Sequence, residues 1–282
     1  MATVTKKMSE KEIFALKERM KPYILKESKP DYTYYQIKCE ECTISAYTSG
    51  KVVFQGKDLS WMEEDKETVK SILPQAGSDE VGTGDYFGPV VVAGCIVDQK
   101  AYEALKHLKI QDSKQIRDEK ILEMAPVIMK TIPYSICILS NPKYNQIHSM
   151  HNMVDIKCQL HNQVYLNLIK KGYALPEFIV IDQFVQKSSY YKYLKDTKNV
   201  IPSIHFETKA ENKYIAVACA SILARYAFLE SIRKMEDEYD FHFQKGAGDI
   251  VDACAKEFVE KYGFNELSNV AKIHFKNTEK IR

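Results

Sequence analysis

The feature that most constrains the fold is a series of short apolar runs separated by segments with helical periodicity. The runs are PVVVAGCIV (89–97), YSICIL (134–139) and EFIVID (177–182), and each has the length of a buried strand. Helices are predicted over 118–131, 151–171, 187–196, 210–236 and 249–262, with a further strand near 200–206. Strands that alternate with helices are typical of a layered α/β domain. We predict such a domain over residues 71–282.

The chain before residue 71 has a different pattern. Residues 9–25 carry apolar side chains at helical spacing, Ser9 and Glu12 form a candidate capping box, and Pro22 is expected to end or kink the helix. Residues 31–56 are rich in aromatic and β-branched side chains with a Ser-Gly turn, which predicts two or three antiparallel strands.

A second helix is predicted over 63–73, and PQAGS at 74–78 is expected to break the chain. Residues 1–70 are therefore predicted to form a small α+β domain.

Composition limits the class of protein but leaves its function open. The 282 residues are 45% hydrophobic and 28% charged, as in globular proteins, and the net charge of +2 does not by itself indicate a nucleic-acid partner. No apolar run of about 18 residues and no apolar N-terminal stretch are present, so we expect no membrane span and a cytoplasmic location. Seven scattered cysteines favour reduced thiols. Cys39 and Cys42 have the spacing of half a zinc site, but no second pair follows.

Four acids lie at positions where a functional site could form. Asp79 and Glu80 directly precede a glycine-rich turn, Asp182 closes the apolar strand of EFIVID, and Glu211 lies four residues before Ile215 on a predicted buried stripe. Asp182 could simply cap the next helix, and Glu211 could be a solvated first-turn residue. Neighbouring strand residues point to opposite faces, so whether Asp79 and Glu80 reach one site stays open.

Carboxylates gathered at the ends of different elements would repel one another unless a cation lies between them. Oxygen ligands without His or Cys favour Mg²⁺ or Mn²⁺. Two such ions about 4 Å apart can activate a water and stabilise the leaving oxygen in phosphodiester hydrolysis. The acids therefore predict a divalent metal site.

Other polar residues could contact a phosphate or a sugar. The turn VGTG (81–84) offers backbone N–H groups that a ligand could approach closely, although a plain turn is the commoner explanation. The candidate side chains are Ser113 and Lys114 in QDSK, Lys209 and Lys213 in TKAENK, and Arg225. Each is more often an ordinary solvated residue, so none of them identifies a ligand alone.

Taken in order, the motifs DEVGTGDYFGP, DSK, IDQF and TKAENKYIAVACASILAR resemble those of the type 2 ribonucleases H, and the ribonuclease HIII group in particular. The resemblance spans about 72–282, and the N-terminal part is similar to the small TATA-binding-protein-like domain that precedes this catalytic domain. It implies an RNase H-like α/β fold with that N-terminal α+β domain. It also implies metal-dependent endonucleolytic cleavage of the RNA strand of RNA–DNA hybrids, with 5′-phosphate and 3′-hydroxyl products.

The family's site residues carry over to matching positions. The resemblance makes Asp79, Glu80, Asp182 and Glu211 the catalytic acids and the ligands of two Mg²⁺ or Mn²⁺ ions. It assigns substrate contacts to Gly82, Thr83, Gly84, Ser113, Lys114 and Lys209. The glycine motif would read the 2′-hydroxyl, the group that separates RNA from DNA.

Thr83 stands where ribonuclease HII carries Arg or Lys, which implies a preference for runs of ribonucleotides over a single embedded one. The alternatives are a ribonuclease HII-like repair enzyme, a hybrid-binding module without catalysis, and a purely structural α/β protein. We expect a monomer whose partner is an RNA–DNA hybrid. The N-terminal strands would grip the hybrid through exposed aromatic and polar side chains. Which of Tyr34, Tyr35, Tyr47 and Phe54 face the substrate stays open, with about half expected in the core.

Overall fold

The computed structural model describes residues 2–40, 42–56, 72–110 and 116–281. Its internal contacts divide the chain into two compact units, Met1–Val69 and Lys70–Arg282. The helix predicted over 63–73 falls almost entirely outside the described residues.

The N-terminal unit is a five-stranded antiparallel sheet with one helix packed on it. Its elements are β1 (Ala2–Lys7), α1 (Glu10–Met20), β2 (Lys26–Ser28), β3 (Thr33–Lys38), β4 (Cys42–Tyr47) and β5 (Lys51–Gly56). The order across the sheet is β1-β5-β4-β3-β2. The capping box of Ser9 and Glu12 is confirmed, and α1 gives way to a short 3₁₀ turn that contains Pro22. The sequence predicted β3, β4 and β5 but not the exposed edge strands β1 and β2, which lack an apolar alternation.

One face of this sheet is covered by α1. Ile13, Leu16 and Met20 pack against the inward positions of β3, β4 and β5, and the hydroxyl of Tyr35 donates to the carbonyl of Ile13 at 2.8 Å. Tyr35 and Phe54 are buried in this core, whereas Tyr34 and Tyr47 are partly exposed. The expectation that about half of these aromatic side chains are core residues is confirmed.

The second unit contains a mixed five-stranded sheet between helices. Its strands are β6 (Gln75–Val81), β7 (Val90–Val97), β8 (Tyr134–Leu139), β9 (Phe178–Asp182) and β10 (His205–Glu207), in the order β10-β9-β6-β7-β8. Its helices are α2 (Gln99–Leu105), α3 (Asp118–Thr131), α4 (Asn141–His148), α5 (Met153–Lys170), α6 (Lys187–Tyr193), α7 (Ile215–Tyr239), α8 (Asp249–Tyr262), α9 (Leu267–Val270) and α10 (Lys276–Glu279). The central strand β6 runs antiparallel to β7 and parallel to β9.

Two helices cover opposite faces of this sheet. Helix α7 packs with the β7 side chains of Val91 and Cys95, whereas α5 packs with that of Val92. The residues of β6 alternate in the same way, because Gly77 lies opposite Cys95 and Ser78 lies opposite Gly94 in the antiparallel register. Helix α7 is long and apolar enough to cross a membrane, but 67% of its most apolar stretch is buried in the unit, as in the core helix of a globular protein.

The predicted break at PQAGS is wrong, because β6 begins at Gln75. A glycine in this strand indicates a close backbone approach: a Cβ atom on Gly77 would lie 2.5 Å from the backbone nitrogen of Val217. The predicted helix from 210 begins instead at Ile215, after a 3₁₀ turn over Ala210–Asn212.

Candidate active site

Asp79 lies in the middle of the sheet, on the face that α7 covers. Asp79 is only 7% exposed to solvent, and it pairs with Ala93 of β7 in the sheet. The carboxylate accepts hydrogen bonds from the side chain of Ser221 on α7 and from the backbone N–H of Glu80, the latter at 2.8 Å. The strand and the helix therefore hold this acid in place together.

The electrostatic surroundings of Asp79 disfavour its charge. Burial, followed by the charge of Glu80, raises the pKa of Asp79 to about 8, and Asp182 adds to the same effect. The hydrogen bonds from Ser221 and Glu80 lower the pKa but do not offset the burial. Three of the four predicted acids therefore interact electrostatically in the folded chain.

Glu80 points to the other face of the sheet. Its Oε1 forms an ion pair with Lys157 and its Oε2 lies 2.8 Å from Nε2 of His161, both on α5. Burial alone would raise the pKa of Glu80, but the hydrogen bonds and charges of His161 and Lys157 bring it below its usual value. The question that the sequence left open is thereby answered, since the two adjacent side chains follow the ordinary strand alternation.

A buried chain of hydrogen bonds extends from Glu80 into the core. His161 is fully buried, and its Nδ1 lies 2.7 Å from the hydroxyl of Ser78. The hydroxyl of Tyr165 lies 2.8 Å from that of Ser78 and 3.0 Å from the carbonyl oxygen of Val180. Both nitrogens of the imidazole are therefore occupied, which fixes the ring.

Asp182 ends the strand beside β6, and Glu211 lies in the short 3₁₀ turn that contacts β9 and α7. Asp182 ends β9, the strand parallel to β6, and its Oδ1 accepts a hydrogen bond from the N–H of Ala210 at 2.9 Å. Glu211 follows Ala210 in the 3₁₀ turn and is 2% exposed. The prediction that Glu211 points inward is consistent with this burial, although the residue precedes α7 instead of opening it.

Within the described part of the chain, no group of three or more His, Cys, Asp or Glu side chains is arranged as a ready-made metal cage. On the Glu80 side, each carboxylate oxygen has a partner on α5. Asp79, Glu80 and Asp182 interact through charge across β6 and β9.

Buried contacts hold the two ends of the glycine-rich turn that follows β6. Gly82 has a φ of +91° and no room for a side chain, since a Cβ atom would lie 2.1 Å from the carbonyl oxygen of Pro89. Gly84 is exposed and a Cβ atom there would meet nothing within 4 Å. The fully buried Lys272 donates from Nζ to the carbonyl of Asp85 at 2.8 Å, and it also bonds that of Gly88. The turn is therefore fixed at its base and open at its tip.

The other predicted substrate contacts have different surroundings in the structure. Ser113 and Lys114 lie outside the described residues. Lys209 is exposed, two residues before Glu211, with a left-handed backbone. The guanidinium of Arg225 donates to Asp118 at 2.9 Å from Nε and to the carbonyl of Ile116 at 2.7 Å, so it holds the segment just after the DSK motif.

The sequence did not indicate the partners of the acids, which are Lys157, His161 and Ser221, or the residues behind His161, which are Ser78 and Tyr165. A signal existed for two of them: Lys157 and His161 are four residues apart in a helix that was predicted, so they share one helix face. Nothing in the sequence related that face to Glu80, which lies more than 70 residues earlier in the chain.

Comparison with known proteins identifies the family. The family model described as Ribonuclease HII matches residues 76–278, and one described as a domain of unknown function, DUF3378, matches residues 3–65. A ribonuclease HIII from Streptococcus agalactiae is 41% identical over 264 residues, covering 89% of each chain, and one from Enterococcus faecalis is 39% identical over 296 residues, covering 98% of this chain and 97% of the relative.

Among solved structures, that of Bst-RNase HIII in complex with Mn²⁺ matches with a TM-score of 0.74 and 35% identity, over 99% of this chain and 98% of that chain. The expected RNase H-like α/β fold, with a small N-terminal β-rich part, is confirmed by this match. The protein therefore belongs to the ribonuclease HII family, and within it is a ribonuclease H of the ribonuclease HIII group.

Proposed function

We propose that the protein is a metal-dependent endoribonuclease that cleaves the RNA strand of RNA–DNA hybrids, leaving 5′-phosphate and 3′-hydroxyl ends. The observation that carries the proposal is the burial of Asp79 in the centre of the sheet, where the charges of Glu80 and Asp182 help to raise its pKa. A structural protein gains nothing from such repulsion, whereas a divalent cation would relieve it.

The donor set fits Mg²⁺ or Mn²⁺. Asp79, Glu80, Asp182 and Glu211 supply oxygen ligands, the type that these hard cations prefer. The relative Bst-RNase HIII has been solved in complex with Mn²⁺, which supports the choice. When bound, two such ions would activate a water molecule and stabilise the leaving oxygen of the phosphodiester.

The chain's own residues would prepare the site for this chemistry. Ser221 and the Glu80 N–H orient Asp79, and the Ala210 N–H orients Asp182. A carboxylate held by such donors is positioned before the cation arrives, which reduces the reorganisation on binding. No nucleophilic side chain is required for hydrolysis of this kind.

Substrate recognition is assigned to the turn over Gly82, Thr83 and Gly84, with Ser113, Lys114 and Lys209 as further contacts. The open tip at Gly84 supports this role, because a sugar edge could approach the backbone there without meeting a side chain. Thr83 supports a preference for stretches of ribonucleotides over a single one.

We further assign residues 1–70 as a substrate-binding domain. The sheet face opposite α1 carries polar side chains in register: Thr3, Gln55, Thr43, Lys38 and Lys26 form one row across all five strands. In the next row, Nε2 of Gln36 donates to the hydroxyl of Ser45 at 2.8 Å. Hydroxyl, amide and ammonium groups side by side on one sheet face suit sugar and phosphate contacts. This row supports the polar part of the expected aromatic and polar grip.

We also assign the enzyme to the cytoplasm as a monomer. All seven cysteines are free thiols, which suits a reducing compartment. Each unit has its own core of buried apolar side chains, which is compatible with the proposed monomer.

The test is cleavage of a labelled RNA–DNA hybrid by the wild type and by Asp79→Asn with Mg²⁺, Mn²⁺ or EDTA, beside a duplex with one embedded ribonucleotide. Metal-dependent cutting of the hybrid that falls by more than about 100-fold in the variant supports the proposal, since the loss exceeds that of an outer-shell contact. Equal cutting of the single-ribonucleotide duplex would favour the ribonuclease HII-like alternative. Binding without cleavage under any metal would leave a hybrid-binding module.

A further inference from the structure

Glu80 is held by two cationic or proton-donating partners of different character. Lys157 contacts one carboxylate oxygen and His161 contacts the other, so each oxygen already has one partner and one lone pair left for a metal. A divalent cation bound to this carboxylate would be repelled by the ammonium of Lys157, which favours a state in which one of the two partners has moved away.

His161 cannot leave without disturbing the core. It is fully buried, its Nδ1 lies 2.7 Å from the hydroxyl of Ser78, and its ring stacks on that of Phe184 with centroids 5.1 Å apart. Moving the ring would break the buried chain that continues to Tyr165 and Val180. An unsatisfied buried polar group is costly, so His161 stays with Glu80.

Lys157 has a second favourable place. Its Nζ lies 3.9 Å from the centre of the Phe184 ring, in the geometry of a cation–π contact. The side chain is flexible and reaches solvent with 12% of its surface exposed. The ammonium can therefore release the carboxylate and remain on the ring or in water.

We propose that Lys157 is an exchangeable counter-charge of Glu80: it neutralises the carboxylate in the metal-free protein and is displaced when a divalent cation binds, while His161 remains as the positioning residue. The inference rests on the proposed function, because it assumes that Glu80 is a metal ligand. It gives Lys157 and His161 opposite effects on metal affinity.

The first measurement is the dissociation constant of Mn²⁺ with the full-length, metal-free protein, by titration calorimetry and by electron paramagnetic resonance of free Mn²⁺. Lys157→Met should bind Mn²⁺ about tenfold more tightly, on the scale of one charge-assisted hydrogen bond that the metal no longer has to break. Lys171→Met is the matched control. Lys171 follows α5 directly and its Nζ lies 5.3 Å from the ring centre of Tyr134, and its removal should leave the affinity unchanged.

His161→Leu should weaken Mn²⁺ binding by about 10- to 100-fold, the range of outer-shell ligand losses. His161→Gln retains an amide N–H that can reach Glu80 and should recover most of that affinity. Circular dichroism spectra and melting curves of all variants identify any that fail to fold. If both His161 variants are unfolded, the Lys157 and Lys171 pair still decides the proposal.

Displacement itself can be followed by amine-specific labelling read by mass spectrometry. Saturating Mg²⁺ should increase the labelling rate of Lys157 in the wild type at least about threefold, as expected for an ammonium freed from an ion pair. The rate at Lys171 should not change.

The outcomes separate the two proposals. If the wild type does not bind Mn²⁺, the proposed metal site falls and this inference falls with it. If the wild type binds Mn²⁺ and Asp79→Asn does not, the site stands. In that case, unchanged or weaker Mn²⁺ binding by Lys157→Met, or unchanged labelling of Lys157, overturns the proposed displacement of Lys157 and leaves the proposed metal site in place.

Discussion

Asp79 and Glu80 are adjacent in β6, yet their carboxylates contact helices on opposite faces of the sheet. Asp79 bonds Ser221 of α7, and Glu80 bonds Lys157 and His161 of α5. Asp79 is buried among like charges, whereas Glu80 is buried among partners of opposite charge. Removing the negative charge should therefore have opposite effects on stability at these two neighbouring positions.

Asp79→Asn should stabilise the metal-free protein at alkaline pH. The folded pKa of Asp79 is raised to about 8 from an ordinary value of 3.8, so its favourable contribution is complete below about pH 4 and is lost as the pH rises through 8. Asn has no charge to bury and avoids this loss. In EDTA at pH 9, we expect a melting temperature at least about 3 °C above that of the wild type, with a smaller difference at pH 5. An equal or lower melting temperature at both pH values would contradict the burial of this acid.

Glu80→Gln should destabilise the metal-free protein by about 1–3 kcal/mol, because it leaves Lys157 without its carboxylate and weakens the bond from His161. Urea unfolding at pH 7 in EDTA measures the change. The control is Glu123→Gln, which removes the exposed ion pair with Lys120 and should cost less than about 0.5 kcal/mol. Equal effects of the two substitutions would show that the contacts on α5 do not hold Glu80.

The two glycines at the turn should respond differently to alanine. Gly82→Ala places a Cβ atom against the Pro89 carbonyl at a positive φ, so the protein should lose more than about 2 kcal/mol of stability. Gly84→Ala has open space and should fold with wild-type stability. If the tip of the turn approaches the sugar edge, Gly84→Ala should still raise KM for the hybrid several-fold. Wild-type kinetics of Gly84→Ala would remove the turn's tip from the substrate contacts.

The polar face of the N-terminal sheet should contribute to hybrid affinity. Lys38→Glu reverses a charge on this face and should weaken binding, with the salt dependence of the association constant reduced by about one unit of slope per lost phosphate contact. Lys11→Glu makes the same change on α1, which covers the opposite face, and should have a much smaller effect. Fluorescence anisotropy with a labelled hybrid, at several salt concentrations in Ca²⁺ or EDTA, measures both. Equal losses would indicate a non-specific effect of charge.

Local patterns predicted much of the secondary structure of the second unit. Helices over 118–131 and 249–262 and the strand at 134–139 have the predicted bounds, because periodicity and capping act within a few residues. The errors occur where tertiary contacts override local preference. The segment PQAGS is predicted to break the chain, whereas its Gly77 allows the backbone of α7 to pack closely on β6.

The sequence by itself determined the identity of the protein, since the order of its motifs named the family, and it predicted which acids form the site. Only the tertiary structure decided what those acids contact. Strand alternation turns Asp79 and Glu80 to opposite faces. Helix α5 then supplies positive partners to Glu80, whereas Asp79 meets a hydroxyl of α7 and the like charges of Glu80 and Asp182. The partners lie about 80 to 140 positions away in the chain. Charge interactions of this kind depend on distance in space and burial, which no local pattern encodes.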